Sequence, residues 1–152
     1  MEKTSDTIDE KTISWKIPEL AHSLKIKMEK RFKEYDITTE QWATLSRLYN
    51  IEGCNQKKLA EVSSKNGATI TRLLNVLEDK KLVKRKNSPN DKREYLIYLT
   101  KKGKNTYKNA RKVAVDHNHE LESILTKQEL KKLILSLDKL ISYINNINNG
   151  DN

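Results

Sequence analysis

Residues 56–100 read QKKLAEVSSKNGATITRLLNVLEDKKLVKRKNSPNDKREYLIYLT, and this stretch decides the fold. Its first part carries apolar residues at helical spacing on both sides of a short polar turn, Ser64–Gly67. Within that turn Asn66 is a suitable cap for a second helix, which we predict over Gly67–Lys80. Two amphipathic helices joined by so short a turn indicate a helix-turn-helix.

A β-hairpin is predicted directly after the second helix. Residues alternate between apolar and polar in Leu82–Lys86 and Glu94–Leu99, as in strands, and turn formers lie between them. Asp91 stands two residues before Arg93 at this turn, where its carboxylate can orient the guanidinium or tie down the loop. Arg93 could then reach a phosphate or a narrow groove of a duplex.

The second helix has two distinct faces. Its inward face is predicted to hold Ile70, Leu73, Leu74 and Leu77. Its other face carries small, hydroxyl, amide and charged side chains, which are Ala68, Thr69, Thr71, Arg72, Asn75 and Glu78. Such residues near a helix N-terminus allow close approach to a major groove and can bond to phosphates and base edges.

Composition agrees with an anionic partner. The 152 residues carry a formal net charge of +9 at pH 7 and have a sequence pI of about 9.5. With 36% hydrophobic residues the core is lean, so we expect apolar surface to be buried against a partner subunit. The single cysteine, Cys54, forms no intrachain disulfide and fits a reducing cytoplasm. Because the sequence has no apolar run of sufficient length and begins with a polar segment of mixed charge, we expect neither a membrane span nor a signal peptide.

Helical patterns also precede the stretch that decides the fold. An apolar stripe with spacings of three and four residues runs from Ile13 to Tyr35. Because Pro18 suits a first turn, this helix is predicted to begin near Ile17. Thr38 and Gln41 then form a capping box for the next helix.

Two more helices are predicted after the hairpin. One runs from about Lys101 to Leu125, and the last follows a capping box made by Thr126 and Glu129. The last helix carries a wide apolar stripe of Leu130, Leu133, Ile134, Leu137, Leu140, Ile141, Ile144 and Ile147. A terminal helix this apolar beside a lean core indicates a dimer interface.

This order of elements and several local motifs resemble the MarR family of transcriptional regulators. The residues that carry the resemblance are Ile37–Trp42, Gln56–Glu61, Ala68–Arg72 with Leu77–Lys80, Asp91–Arg93 and Leu99–Gly103. The resemblance implies a mainly α fold with one domain over 1–152. In that domain 37–100 would form a winged helix-turn-helix lobe, and 13–36 and 101–147 would be dimerisation helices.

The resemblance also implies a function. The chain would be a homodimeric repressor that binds a pseudo-palindromic site in double-stranded DNA and responds to a small molecule. The predicted DNA-contacting residues are Gln56, Ala68, Thr69, Thr71, Arg72, Asn75, Lys84, Arg85, Asp91, Lys92 and Arg93. Arg93 would contact the minor groove and Asp91 would brace it. An effector pocket between the lobe and the dimerisation helices would draw on Trp15, His22, Met28, Trp42 and Tyr49.

The chain departs from the family pattern at three positions. Ser63 and Lys65 replace residues that are commonly apolar, and Lys81 replaces a common glycine. Lys81 is therefore predicted to adopt a turn without the conformational freedom of glycine.

Other functions are weighed against this one. His117 and His119 are two residues apart on one helix, so they point in different directions and make a poor zinc pair. Cys54 is predicted to lie in a loop, where Lys57, Lys58 and a helix N-terminus could lower the thiol pKa, so a redox sensor is an alternative. A protein–protein module with an acidic partner is another. No phosphate loop or nucleophile motif is present, so we expect neither catalysis nor a cofactor.

Overall fold

The computed structural model describes residues 11–150, with side chains as far as residue 147. The chain divides into two compact units, and the boundary between Val113 and Ala114 falls inside a long helix. Six α-helices and three strands are present in the described residues, together with a 3-10 turn at Lys33–Tyr35. The helices are α1 (Ile13–Phe32), α2 (Thr39–Asn50), α3 (Gln56–Ser63), α4 (Gly67–Asp79), α5 (Lys101–Glu122) and α6 (Lys127–Gly150). The strands are β1 (Cys54–Asn55), β2 (Val83–Asn87) and β3 (Tyr95–Leu99).

The start of α1 differs from the sequence prediction. The helix begins at Ile13 rather than near Ile17, and Pro18 lies inside it. The first turn closes before the proline, because the N–H groups of Trp15 and Lys16 both donate to the carbonyl of Thr12, at 3.1 and 2.9 Å. The prediction near Ile17 was therefore wrong by one turn.

The predicted capping boxes are confirmed. The Gln41 N–H donates to Thr38 Oγ1 at 3.1 Å, and Gln41 Oε1 accepts from the Thr38 N–H at 3.3 Å. At α6 the Thr126 N–H donates to Glu129 Oε2 at 2.8 Å, and the Glu129 N–H donates to Thr126 Oγ1 at 3.3 Å. The Thr126 N–H and the Thr126 hydroxyl, which donates to Glu129 Oε2 at 2.7 Å, hold the pKa of the Glu129 carboxyl below its usual range. Both helix starts could be read from the sequence because each cap is local.

The sheet has three strands rather than the predicted two. It is antiparallel, with the order β1-β3-β2, and Cys54 pairs with Ile97 while Val83 pairs with Leu99. Cys54 therefore lies in a strand, and its prediction as a loop residue was wrong. A strand of two residues is too short to show an alternating pattern, so its pairing could not be read from the sequence.

One core joins the helix-turn-helix, the sheet and α2. The predicted inward residues of α4 are all buried. They pack in a core whose fully buried members include Phe32, Leu45, Leu48, Leu59, Ile70, Leu74, Leu77 and Ile97. Arg47 on α2 ties the next helix to this core, since its Nε donates to the carbonyl of Val62 at 3.0 Å. Burial of the inward-facing apolar residues of α3 and α4 in this core thus fixes the position of both helices.

Between α4 and β2 the chain makes a tight turn. Lys81 has φ 59°, in the left-handed region that favours glycine, which confirms the turn predicted at this position. Thr100 locks the turn, because its hydroxyl donates to the Lys81 carbonyl at 2.7 Å and accepts from the Gly103 N–H at 2.9 Å. Gly103 packs against the carbonyl of Leu82 so closely that a Cβ there would lie 1.9 Å from the oxygen. The sheet and the start of α5 are therefore held in contact.

Two helices carry large apolar side chains that this single chain leaves exposed. On α1 these include Ile13, Trp15, Ile17, Leu20 and Ile26. On α6 they include Leu133, Ile134, Leu135, Leu140, Ile141, Tyr143, Ile144 and Ile147. Within the described residues, no helix combines the length and the apolar character that crossing a membrane requires.

Candidate nucleic-acid interface

Local side-chain caps build the helix-turn-helix. Asn55 caps α3 by accepting from the Lys58 N–H at 2.7 Å, and Asn66 caps α4 by accepting from the Thr69 N–H at 2.8 Å. Between the helices Ser64 takes a left-handed conformation, with φ 50°, which turns the chain sharply. The departure at Ser63 lies in this joint: its side chain is buried, and its hydroxyl has no hydrogen-bond partner among the described residues.

The outward face of α4 brings most of the predicted contact residues together. Ala68, Thr71, Arg72 and Asn75 are exposed, and Thr69 is half-buried. The N-terminal turn of α4 is open, because a Cβ on Gly67 would meet nothing within 4 Å. The face thus offers small and hydroxyl groups at the helix start and a guanidinium one turn further on.

Gln56 holds the two helices of the motif in register. Its Nε2 donates to Thr71 Oγ1 and, at 3.4 Å, to the carbonyl of Gly67. The Thr71 hydroxyl in turn donates to the Gly67 carbonyl at 2.9 Å. The predicted residues Gln56 and Thr71 therefore satisfy each other and fix the first turn of α4 against α3.

Arg85 joins the wing, which is the hairpin formed by β2 and β3, to α4. Its guanidinium donates to Asn75 Oδ1 at 2.9 Å and forms an ion pair with the Glu78 carboxylate. Side chains alternate along β2, so Lys84 projects from the opposite face of the sheet, where its charge acts on Glu52. Arg85 and Lys84, which were predicted together as contact residues, thus point to different sides of the wing.

Backbone hydrogen bonds shape the tip of the wing. Asp91 Oδ1 accepts from the Arg93 N–H at 2.8 Å, and the Asp91 carbonyl accepts from the Glu94 N–H at 3.0 Å. The Ser88 N–H closes the loop by donating to the Glu94 carbonyl at 2.8 Å. Asp91 was predicted either to orient the Arg93 guanidinium or to tie down the loop, and its bond to the Arg93 backbone N–H does the second.

A contact between Asn55 and Glu94 was not foreseen. The Asn55 Nδ2 donates to Glu94 Oε1 at 2.6 Å while the other end of the same amide caps α3. One side chain thus connects the start of the helix-turn-helix to the base of the wing tip. The cap is visible in the sequence, but the partner lies 39 residues away and has no local signal.

Three exposed cations of the predicted set remain unengaged. In the part of the chain that the structure describes, the side chains of Arg72, Lys92 and Arg93 make no hydrogen bond or ion pair. Arg72 lies on the outward face of α4, and the other two lie at the wing tip. Three other residues of the predicted set, Gln56, Asn75 and Arg85, bond within the lobe.

Of the residues predicted to line an effector pocket, Trp42 and Tyr49 both lie beside Tyr107. The Trp42 ring lies 5.5 Å from that of Phe32 and 6.5 Å from that of Tyr107, between ring centroids. Tyr49 packs against Tyr107 at 4.5 Å. Met28 is half-buried, whereas Trp15 and His22 are exposed on α1. The Trp42 indole N–H is buried without a hydrogen-bond partner among the described residues.

Burial changes the expectation for Cys54. The side chain is buried in β1, and desolvation raises the pKa of its thiol, opposite to the lowering suggested by Lys57 and Lys58. A raised pKa keeps the sulfur as an unreactive thiol at neutral pH. Burial thereby argues against the redox alternative.

The histidines behave as their spacing predicts. His117 is buried and His119 is exposed, so the two rings point in different directions from α5. Across residues 11–150, no three histidine, cysteine, aspartate or glutamate side chains are grouped closely enough to hold a metal ion.

The caps, the three-stranded sheet and the open face of α4 define a winged helix-turn-helix protein. Comparison with known proteins gives the family. The model of the MarR family matches residues 37–95. The chain is 33% identical over 112 residues to the HTH-type transcriptional regulator MgrA of Staphylococcus aureus, which covers 74% of this chain and 75% of MgrA. It is 30% identical over 111 residues to the uncharacterized HTH-type transcriptional regulator YdgJ of Bacillus subtilis, covering 73% of this chain and 68% of YdgJ.

Solved structures of transcriptional regulators share the fold of this chain. The MepR protein of S. aureus in its complex with DNA superposes with a TM-score of 0.81 at 29% identity, over 90% of this chain and 99% of that one. A MarR transcriptional regulator from Methanosarcina mazei Go1 superposes with a TM-score of 0.77 at 27% identity, over 89% and 97% of the two chains. The chain belongs to the MarR family. It is a transcriptional regulator and not an enzyme.

Proposed function

We propose that the protein is a homodimer that binds a specific double-stranded DNA site through α4 and the wing and represses transcription from it. The observation that supports this proposal most directly is that some polar side chains of the lobe are hydrogen-bonded within it and others among the described residues are not. Gln56, Asn75 and Arg85 are bonded within the lobe, whereas the guanidinium groups of Arg72 and Arg93 are exposed and unengaged in the described residues. A scaffold that fixes its own polar groups and leaves two arginines free suits an anionic partner.

The proposed roles follow from position. Arg72, with the small and hydroxyl residues before it, would enter the major groove, where arginine pairs with guanine in two hydrogen bonds. Arg93 would reach the minor groove or its phosphates from a tip braced by Asp91. Gln56, Asn75 and Arg85 position these elements, and Lys84 lies outside this surface on the other face of the sheet.

The dimer proposal rests on the exposed apolar faces of α1 and α6, because isolated chains rarely expose so many large apolar residues. A two-fold dimer would present two copies of α4 to half-sites separated by about one helical turn, roughly 34–36 Å. Effector control is proposed from the family resemblance. The unpartnered indole N–H of Trp42 beside Phe32 and Tyr107 supports a polar ligand group at that position.

Binding to DNA from upstream of the gene for this protein tests the proposal. The labelled upstream fragment and a random duplex of equal length are compared by gel shift at fixed salt, and the protected bases are mapped by footprinting. We expect tighter binding to the upstream fragment by at least about a thousandfold, with a two-fold symmetric footprint. Equal affinity for both duplexes would refute sequence-specific recognition, and no binding to either would favour an acidic protein partner.

A further inference from the structure

A groove lies on the side of the wing sheet that faces away from α4. Its volume is about 430 Å³, and five lysines line it: Lys84 and Lys86 from β2, and Lys101, Lys104 and Lys108 from the first turns of α5. We call it the lysine groove. All five residues belong to the first compact unit, so the groove is formed within one body of the chain.

Tyr98 lines the lysine groove and lies beside Gly53 and Lys86. Gly53 has φ 73°, and the ring of Tyr98 lies so close to it that a Cβ there would be 2.9 Å from the ring. The Nζ of Lys86 lies over the same ring, 5.6 Å from its centroid. Tyr98 therefore lies close both to the Gly53 backbone and to one of the lysines of the groove.

Charge in the groove is unbalanced. Among the described residues that line it, Glu52 is the only acidic one, and it pairs with Lys104 at 2.7 Å. Lys104, and after it Lys84, holds the pKa of the Glu52 carboxyl below its usual range. One carboxylate thus faces five ammonium groups, and the N-terminus of α5 adds its own partial positive charge. A bound multivalent anion would relieve this repulsion.

The groove is separate from the proposed DNA-binding surface. Arg85 reaches α4 from one face of β2, whereas Lys84 and Lys86 project from the other. The volume also falls within the range of about 300–1,000 Å³ typical of small-ligand sites. A concave site of this size matches a small molecule better than a rigid duplex.

We propose that the lysine groove binds a small polyanion that carries two or more phosphate groups. Lysine ammonium groups contact phosphate oxygens as point charges, and several of them around one concavity discriminate by the charge of the ligand. The Tyr98 hydroxyl and the Asn105 amide, which also line the groove, can donate hydrogen bonds to the same oxygens. The proposal does not depend on the function of the α4 face.

Isothermal titration of the full-length protein with inorganic tripolyphosphate tests the proposal, with orthophosphate as the low-charge comparison. We expect one tripolyphosphate per subunit, bound at least about tenfold more tightly than orthophosphate. The variant Lys86→Gln/Lys108→Gln should weaken tripolyphosphate binding by about tenfold or more, because it removes one ammonium from each wall. The matched control is Lys57→Gln/Lys65→Gln, which loses the same charge from the helix-turn-helix and should retain binding.

Three outcomes would overturn the proposal. One is the absence of saturable tripolyphosphate binding at low salt. Another is an equal loss in the groove variant and the control, since binding would then follow overall charge alone. The third is unchanged tripolyphosphate binding in the groove variant; a loss of DNA affinity in the same variant would then assign these lysines to the duplex. Circular dichroism of both variants checks that each is folded.

Discussion

At the scale of single residues, Gly103 determines how the wing meets α5. A Cβ at this position would lie 1.9 Å from the carbonyl oxygen of Leu82, and backbone cannot give way as a flexible side chain can. We predict that Gly103→Ala lowers the free energy of unfolding by about 1–3 kcal/mol, as overpacking typically does. Urea denaturation followed by circular dichroism measures it.

The control for this prediction is Gly67→Ala. A Cβ at Gly67 would meet nothing within 4 Å, and the residue lies in the first turn of α4. Alanine there should be neutral or should stabilise the fold by up to about 1 kcal/mol. Equal stability of Gly103→Ala and the wild type would show that the chain does not approach Leu82 this closely.

Arg93 carries the wing's proposed contact. Its backbone is fixed by Asp91, and its side chain is exposed. Arg93→Ala should weaken DNA binding and reduce the slope of log affinity against log salt by about 0.9, the change for one lost phosphate contact. Fluorescence anisotropy over a salt series measures both quantities. Lys132→Ala on α6 removes the same charge elsewhere, and a slope change equal to that of Arg93→Ala would remove the evidence for the wing contact.

At the scale of elements, burial in β1 determines the reactivity of the Cys54 thiol. Because Cys54 is buried and its thiol pKa is raised, the native thiol should react with a disulfide reagent much more slowly than the thiol of the denatured chain. As pH rises past the ordinary thiol pKa, the unfolded chain releases its proton first, so this residue's contribution to stability falls.

A DNA-binding assay after peroxide treatment completes this prediction. Wild type and Cys54→Ser should lose the same fraction of binding. Loss in the wild type alone would restore the redox role that burial argues against.

Local signals made the helix starts predictable, whereas contacts between elements were not. Thr38, Asn55 and Asn66 cap helices whose N–H groups lie within three residues of them, so their sequence spacing is informative. The two-residue strand β1 is too short to show a periodic pattern. The start of α1 was predicted too late because Pro18 was taken as a first-turn residue, whereas the first turn forms before it on the carbonyl of Thr12.

The predicted DNA-contacting residues divide in the same way, because their exposure on α4 could be predicted from the sequence and their contacts with other elements could not. The outward face of α4 followed from its 3.6-residue period, and the structure confirms that Ala68, Thr71, Arg72 and Asn75 are exposed. Nothing in the sequence indicated that Arg85 bonds to Glu78 while Lys84 faces away, because only strand pairing decides the side of each residue. The lysine groove was missed for the same reason.

At the scale of the whole molecule, the apolar face of α6 predicts self-association. Ile141 and Ile144 are 56% and 53% exposed in the single chain, so glutamate at both positions should cost the isolated subunit little. We predict that Ile141→Glu/Ile144→Glu shifts the protein from dimer to monomer, because burying two carboxylates at an interface is strongly unfavourable. Sedimentation equilibrium measures the shift.

The control is Lys139→Glu, a charge change at an exposed polar position of α6. It should remain dimeric. If the double variant is still a dimer at the same concentration, these two residues lie outside the interface, and a wild type that is monomeric would refute the dimer itself.

The central claim is that α4 reads DNA sequence, and Arg72 tests it most directly. The measurement compares the affinity of wild type and Arg72→Ala for the footprinted site and for a random duplex at one salt concentration. A lost pair of base contacts should cost about 1–3 kcal/mol on the specific site and much less on the random duplex, so the specificity ratio should fall. Equal losses on both duplexes would mean that Arg72 contacts only phosphate, and unchanged affinity for both would contradict the placement of α4 in the major groove.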